Sequence, residues 1–332
     1  MIYQRGKKRR ITNIASVLEG ITSVAIAGHV RPDGDCVGSC MGMYLYLCEN
    51  FPQIEAHVYM EEIQDVFSYI DGVSDIQHEW NKNKQYDMLL LFDVSSTDRI
   101  GVMSEAFPMA SKTVCIDHHI TNKGIADTNH IVPDASSTCE VLYELLDSDK
   151  ITKNVAEALY TGIIHDTGVF QYSCTGQRTM EIAGHLMTKG IDFTKIIKDS
   201  FYTKTYVQNQ ILGHTLMESI RVLYGKCIVG YVTQKRMQFY GITPKDLEGI
   251  VNHLQNTKGV EVAILLYQTS VGEYKVSLRS NGKVDVAAVA SYFGGGGHVL
   301  AAGCTVQGNV YDVINNLTSN IEIQLQECKD GN

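Results

Sequence analysis

An α/β protein in two parts is the fold class this sequence predicts: an N-terminal domain built on a parallel sheet, then a smaller C-terminal α/β domain. Three observations predict it. From Thr22 onward, short apolar runs alternate with segments of helical periodicity, the βαβ rhythm of a parallel sheet with helices on both faces. The chain has 332 residues, too long for one ordinary core and comfortable for two. Finally, polar residues and tyrosines replace apolar runs over 190–218, which marks a connection between domains.

The elements follow in order. Residues 22–29 (TSVAIAGH) predict a buried strand, and 36–50 the helix behind it, with small residues on its first turn. Residues 55–60, 87–94 and 112–119 predict further strands. The pattern then turns helical. SSTCEVLYELLDS opens on a Ser/Thr cap with Glu140 three residues after Ser137, a capping-box spacing, and KNVAEALYTGIIHDTG and QRTMEIAGHLMTKG follow as two more helices. Beyond the connection the expected order is strand 220–232, helix 244–257, strands 260–269 and 273–281, helix 285–293, a glycine run, and a terminal helix 310–328.

Composition narrows the function classes. At 44% hydrophobic and 20% charged the chain is ordinary for a globular protein. No apolar run approaches the length of a membrane span. Lys7 to Arg10 before Ile21–Ala27 only weakly mimics a secretory signal, since no small-residue cleavage site follows, so the expected location is cytoplasmic. Those four basic residues read as a solvated turn, with a phosphate contact as the alternative. Nine cysteines without a CxxC pair fit buried free thiols in a reducing compartment. The net charge of −9 argues against a protein that coats long nucleic acid, but not against a small phosphorylated substrate.

Four clusters of acid and imidazole end apolar strands or open the loop or helix that follows. They are His29-Val30-Arg31-Pro32-Asp33-Gly34-Asp35, Asp93 in LLLFDVSS, Asp117-His118-His119, and Asp166 in GIIHDTG. Ligands of parallel sheets sit beyond the carboxyl ends of the strands. Carboxylates gathered there are costly unless paired, and a metal centre removes that penalty. Mixed His/Asp ligands suit manganese, iron or zinc better than calcium. Solvated loop polars and helix caps would explain each cluster alone, but the joint occurrence in this order favours a metal site.

With these residues the sequence resembles the DHH phosphoesterase superfamily. The resemblance extends to VSLRSNGKVDVAAVASYFGGGGHVLAAG (276–303), which looks like the C-terminal DHH-associated domain with its GGGGH signature, and to ASST at 135–138. It covers residues 12 to 328, and in arrangement and length is similar to the bacterial bifunctional type. That likeness implies a catalytic domain over 1–190, a helical linker over 191–218 and a substrate-binding domain over 219–332, with the active site in the cleft between domains. It implies two Mn2+ ions, with Mg2+ or another divalent ion as the alternative. His29, Asp33 and Asp93 would hold the first ion; Asp35, Asp93, His118 and Asp166 the second. Asp93 would bridge, Asp117 would orient an imidazole, and His119 would face the phosphate or the leaving group. His165 is left unassigned, as a supporting or simply packed side chain.

The implied activity is hydrolysis of short oligonucleotides (nanoRNA) to mononucleotides and removal of a phosphate from 3′-phosphoadenosine 5′-phosphate. Two ions would activate one water and neutralise the phosphoryl oxygens. Arg279, His298 and the glycines Gly294, Gly295, Gly296 and Gly297 are expected to bind substrate, the glycines by letting backbone N–H groups approach an anion. Ser136, Ser137 and Thr138 are expected to contact phosphate, with helix capping as the equal alternative. The partners are short RNA or DNA, or a nucleotide bisphosphate; no long duplex and no membrane is expected, and the chain is compatible with a homodimer. The alternatives are a cyclic di-AMP or linear dinucleotide (pApA) phosphodiesterase, a pyrophosphatase of related chemistry, and a non-catalytic nucleotide- or RNA-binding module.

Overall fold

A computed structural model describes residues 11–330, with side chains described through residue 327. The basic run Lys7 to Arg10 lies outside the described residues. The chain divides into two units, one ending at Thr203 and one beginning at Lys204.

The first unit opens with a short helix, α1 (Ile14–Val17), and builds five strands: β1 (Ser23–Ala27), β2 (Glu55–Tyr59), β3 (Met88–Phe92), β4 (Thr113–Asp117) and β5 (Thr128–Ile131). They lie in the order β2-β1-β3-β4-β5, and every pair is parallel. Strand alternation sends Val24, Ile26, Leu90, Phe92, Val114 and Ile116 to one face. There they meet α2 (Gly34–Asn50), α3 (Thr138–Leu145) and α4 (Lys153–Asp166), with α5 (Gln177–Thr188) beyond. The sequence places the start of α2 at residue 36; the structure starts it at Gly34, because Asp33 caps it by accepting from the Cys36 N–H.

The other face corrects the expectation of helices on both sides. Ala25, Ala27, Leu89, Leu91 and Cys115 are covered by Tyr86, Ile100, Met103, Ala106 and partly buried Trp80 and Phe107. The connections that carry these residues, 60–87 and 93–112, contain only 3-10 turns. Apolar residues spaced irregularly in a loop bury a small-residue sheet face as well as a helix does, and leave no 3.6-residue period to read. β5 is likewise absent from the sequence reading; its TNHI is too polar to register as a strand.

The stretch 191–218 holds α6 (Phe193–Ile196), a π-helical turn (Ile197–Tyr202) and α7 (Tyr206–Met217). The second unit is a six-stranded mixed sheet of β6 (Ile220–Val222), β7 (Cys227–Val232), β8 (Val262–Ser270), β9 (Glu273–Ser280), β10 (Gly296–His298) and β11 (Ala301–Gln307), ordered β10-β11-β9-β8-β7-β6. Only β7 and β8 are parallel neighbours. Here helices do cover both faces. One face packs on Val286, Val289 and Ala290 of α10 (Val286–Tyr292) and on Val313, Leu317 and Ile321 of α11 (Val310–Asp330). The other packs on Met237 of α8 (Gln234–Tyr240), on Ile250 and Leu254 of α9 (Ile250–Gln255), and on Ile211 of α7.

Three expectations for this unit need correction. The single strand 220–232 is two strands, folded back at Leu223–Gly225, where Leu223 and Tyr224 adopt positive φ. The helix 244–257 begins as a 3-10 turn at Pro244–Leu247 and becomes α-helical only from Ile250. α8 is missing from the sequence reading. Among the described residues no helix is long and apolar enough to cross a membrane.

Candidate metal centre

The four clusters meet at the carboxyl ends of β1, β3 and β4 and at the last turn of α4. His29 follows β1, Asp33 caps α2, and Asp35 lies on its first turn. Asp93 follows β3 directly, with φ of 59°, a left-handed conformation in which Asp is among the better-tolerated residues. Asp117 ends β4, His118 and His119 follow it, and Asp166 ends α4.

Candidate ligand atoms converge in three groups, each within 4.8 Å: His29, Asp33 and Asp93; Asp35, His118 and Asp166; and Asp93, His118 and His119. His29 Nε2 lies 3.3 Å from Asp93 Oδ2 and 3.6 Å from Asp33 Oδ1. His118 Nε2 lies 3.1 Å from Asp166 Oδ2, 3.7 Å from Asp93 Oδ1 and 4.0 Å from Asp35 Oδ2. Asp93 lies between the imidazoles, with Oδ2 toward His29 and Oδ1 toward His118 and His119.

The surroundings orient these groups. His29 donates from Nδ1 to the Val30 carbonyl at 2.8 Å, which points Nε2 at the acidic side. Asp35 is fully buried and accepts the backbone N–H groups of Thr138 (2.6 Å) and Cys139 (2.9 Å). Gly162 makes room for it: a Cβ there would lie 2.8 Å from Asp35 Oδ1. Asp117 is buried too. It accepts from His119 Nδ1 at 2.7 Å, from Asn122 Nδ2 at 2.6 Å and from the backbone N–H of His118 at 2.9 Å. The imidazole it orients is therefore that of His119.

The electrostatics tests whether cations fit. Burial, followed by repulsion from Asp166 and Asp93, pushes Asp35 well above the usual carboxylate range. Burial and Asp93 raise Asp166 to about 6, although His118 opposes the rise. Burial disfavours charge on the two imidazoles, yet Asp166 and Asp35 raise His118 to about 10, and Asp33 and Asp93 raise His29 to about 12. Asp35, Asp166 and the two imidazoles thus hold protons that water would strip from them, while, against desolvation, His29 holds Asp33 down to about 2; acids that take up protons or lean on a charged imidazole mark a site that demands positive charge. Divalent ions answer that demand, and the mixed nitrogen and carboxylate donors suit manganese, iron or zinc.

Ser136, Ser137 and Thr138 are all buried and spend their hydroxyls inside the unit. Ser137 caps α3 by accepting from the Glu140 N–H at 3.0 Å. Ser136 donates to Glu140 Oε2, which also takes the Thr179 hydroxyl at 2.7 Å. Thr138 donates to Asp93 Oδ1 at 3.0 Å. These hydroxyls thus serve capping, the alternative expected for them, and support of the acids. Asn122 and Thr179 were not legible as support. They sit in a loop and on a separate helix, and no spacing ties them to the residues they serve.

In the second unit, β10 pairs His298 with Ala301 of β11, and Ala301 pairs with Arg279 of β9. Paired residues project from one sheet face, so His298, Ala301 and Arg279 form a row with the smallest side chain in its middle. His298 is exposed and Arg279 half-buried. Gly296 and Gly297 are strand residues of β10, and Gly294 turns the chain with φ of 73°.

Comparisons with known proteins agree with this architecture. Residues 23–163 match the description "DHH family, N-terminal domain", and residues 225–327 match the "DHHA1 domain". A Streptococcus mutans protein named probable bifunctional oligoribonuclease and PAP phosphatase NrnA is 28% identical over 87% of this chain and 91% of its own length. A Bacillus subtilis protein named bifunctional oligoribonuclease and PAP phosphatase NrnA is 23% identical over 89% of this chain and 93% of its own. The crystal structure of an exopolyphosphatase-related protein from Bacteroides fragilis superposes with a TM-score of 0.86 at 25% identity, covering 93% of this chain and 94% of that one.

Proposed function

With a DHH N-terminal domain followed by a DHHA1 domain the chain belongs to the DHH family, and we propose that it is a divalent-metal-dependent phosphoester hydrolase that degrades short oligoribonucleotides and dephosphorylates 3′-phosphoadenosine 5′-phosphate. The names of the Streptococcus and Bacillus relatives, matched over most of both chains, support the substrate class. The observation that carries the reading is the convergence of His29, Asp33, Asp35, Asp93, His118 and Asp166.

In this reading His29, Asp33 and Asp93 hold one manganese ion and Asp35, Asp93, His118 and Asp166 a second, with magnesium as the alternative. When bound, such a pair lowers the pKa of water and neutralises phosphoryl oxygens. The chain's own groups do the rest. Asp117 grips His119 Nδ1, which leaves Nε2 to deliver a proton to the departing oxygen. Arg279 and His298, in one row of the second sheet, would hold a substrate phosphate, with Ala301 leaving space between them. A cytoplasmic setting fits the eight described cysteines, all free thiols.

The test is a manganese-supplemented panel of dinucleotides, five-mers, 3′-phosphoadenosine 5′-phosphate and cyclic dinucleotides, read by product identity. Mononucleotides from the short RNAs and AMP from the bisphosphate are expected, and a chelator should stop both. Turnover confined to cyclic dinucleotides, or of nothing in the panel, would refute the assignment.

A further inference from the structure

His165 precedes the candidate ligand Asp166, and its ring packs into a seam among three other segments. Its first neighbour is the start of α2, which carries Asp33 as its cap and Asp35 on its first turn. Gly34 lies so close that a Cβ on it would fall 2.3 Å from His165 Cγ, and the three heavy atoms nearest that Cβ all belong to His165. The second neighbour is Phe67, whose ring meets the imidazole edge-on at 5.0 Å. The third is Phe201, at 5.5 Å and 71°. The fourth is Ser200, whose Oγ lies 3.1 Å from His165 Nε2. Because the Ser200 hydroxyl donates to the Ile196 carbonyl at 2.7 Å, its oxygen accepts from the ring. That bond fixes which way the imidazole points.

Ser200 and Phe201 belong to the π-helical turn Ile197–Tyr202. Such turns are rare and concentrate near functional sites. Here the turn supplies one aromatic edge and one buried acceptor to the same histidine. The ring is thereby clamped on one side, and on the other it presses on the backbone between two candidate ligands.

We propose that His165 is a positioning residue: its ring is the spacer that sets the separation between the Asp33–Asp35 start of α2 and Asp166, and with it the size of the cation site. The inference rests on the metal reading above. Metal ligands must sit within about 0.2 Å of their ideal distances, so a spacer displaced by a fraction of an ångström changes affinity without unfolding the chain. Gly34 is the complementary half of the device, since any side chain there would need the space the ring occupies.

The experiment is calorimetric titration of manganese into the full-length protein and into His165→Ala, Gly34→Ala and the double variant. Each single change should weaken binding about tenfold or more, as losses of supporting contacts around metal sites do. The double variant should bind closer to wild type than either, because a methyl group at position 34 refills the space the ring leaves. Wild-type affinity in His165→Ala, or a double variant whose loss is the product of the two single losses, overturns the proposal. If circular dichroism shows that His165→Ala does not fold, His165→Gln replaces it with the same expectations; it keeps a donor toward Ser200 but has no ring. A wild-type protein that takes up no manganese would bring down the metal reading itself. That is a different result from binding that His165→Ala leaves untouched.

Discussion

Thr138 donates its hydroxyl to Asp93 Oδ1 at 3.0 Å. Its backbone N–H donates to Asp35 Oδ2 at 2.6 Å, so one residue at the start of α3 fixes two acids from different elements. Removing the hydroxyl leaves the Asp35 bond intact and frees only Asp93. Thr138→Ala should therefore weaken manganese binding by about tenfold, and Thr138→Ser should restore most of it. Equal manganese affinity in all three proteins would show that the hydroxyl does not orient Asp93.

Asp93→Asn separates charge from backbone shape. Position 93 has φ of 59°, and Asn tolerates that conformation, so the variant should melt near the wild-type temperature. It loses the carboxylate shared between the two imidazoles, and turnover in saturating manganese should fall by about a hundredfold or more, the scale of losing a metal's charge-stabilising role. A folded variant with near-wild-type turnover would contradict the bridging assignment.

Metal-free stability should fall as pH rises. The native state raises His118 to about 10 and His29 to about 12, whereas an unfolded histidine releases its proton near ~6.5. The stabilisation these two supply is complete below that value and is lost as pH climbs through the native ones. Asp166, raised to about 6, acts in the same direction at lower pH, since its native carboxyl holds a proton that the unfolded one has lost. Divalent ions should take over from the protons, so the gain in melting temperature on adding manganese should grow between pH 6 and 9. A hundredfold excess over Kd corresponds to about 2.7 kcal/mol. Thermal scans with chelator and with manganese check this, and a metal-free protein that melts higher at pH 9 than at pH 6 would refute it.

Arg279→Ala should slow hydrolysis of a dinucleotide at least about tenfold, as expected for losing a charge-assisted phosphate contact, while leaving a small chromogenic phosphodiester nearly unaffected. The discriminating quantity is the ratio of the two kcat/KM values. Equal losses on both substrates would remove Arg279 from recognition.

The glycine run should prove unequal. A Cβ at Gly295 would fall 2.2 Å from the Gly303 carbonyl oxygen, whereas one at Gly296 meets nothing within 4 Å. Gly295→Ala should cost about 1–3 kcal/mol by overpacking, and Gly296→Ala should leave stability nearly unchanged. Denaturant titration of the two variants decides the point, and matched midpoints would contradict it.

Strands β1, β3 and β4 of the first sheet were legible because they are mostly apolar and buried on both faces, whereas the polar β5 was not. The acids and imidazoles stood out because they interrupt those runs at the carboxyl ends. The loop-covered face was not legible, since Tyr86, Ile100, Met103 and Ala106 carry no period that a sequence shows. Nor was α8, a seven-residue helix with one buried side chain, Met237.

By itself the sequence determined which residues could ligate a cation and in what order the elements run, because residue chemistry and hydrophobic period are local properties. Only the tertiary structure decided that Asp117 serves His119, that Ser136 and Thr138 face inward, and that His165 presses on Gly34. Those relations join residues up to 131 positions apart, the span from Gly34 to His165. They exist only once helices α2, α3 and α4 have packed on the sheet, because side-chain spacing along the chain carries no record of which loops will meet.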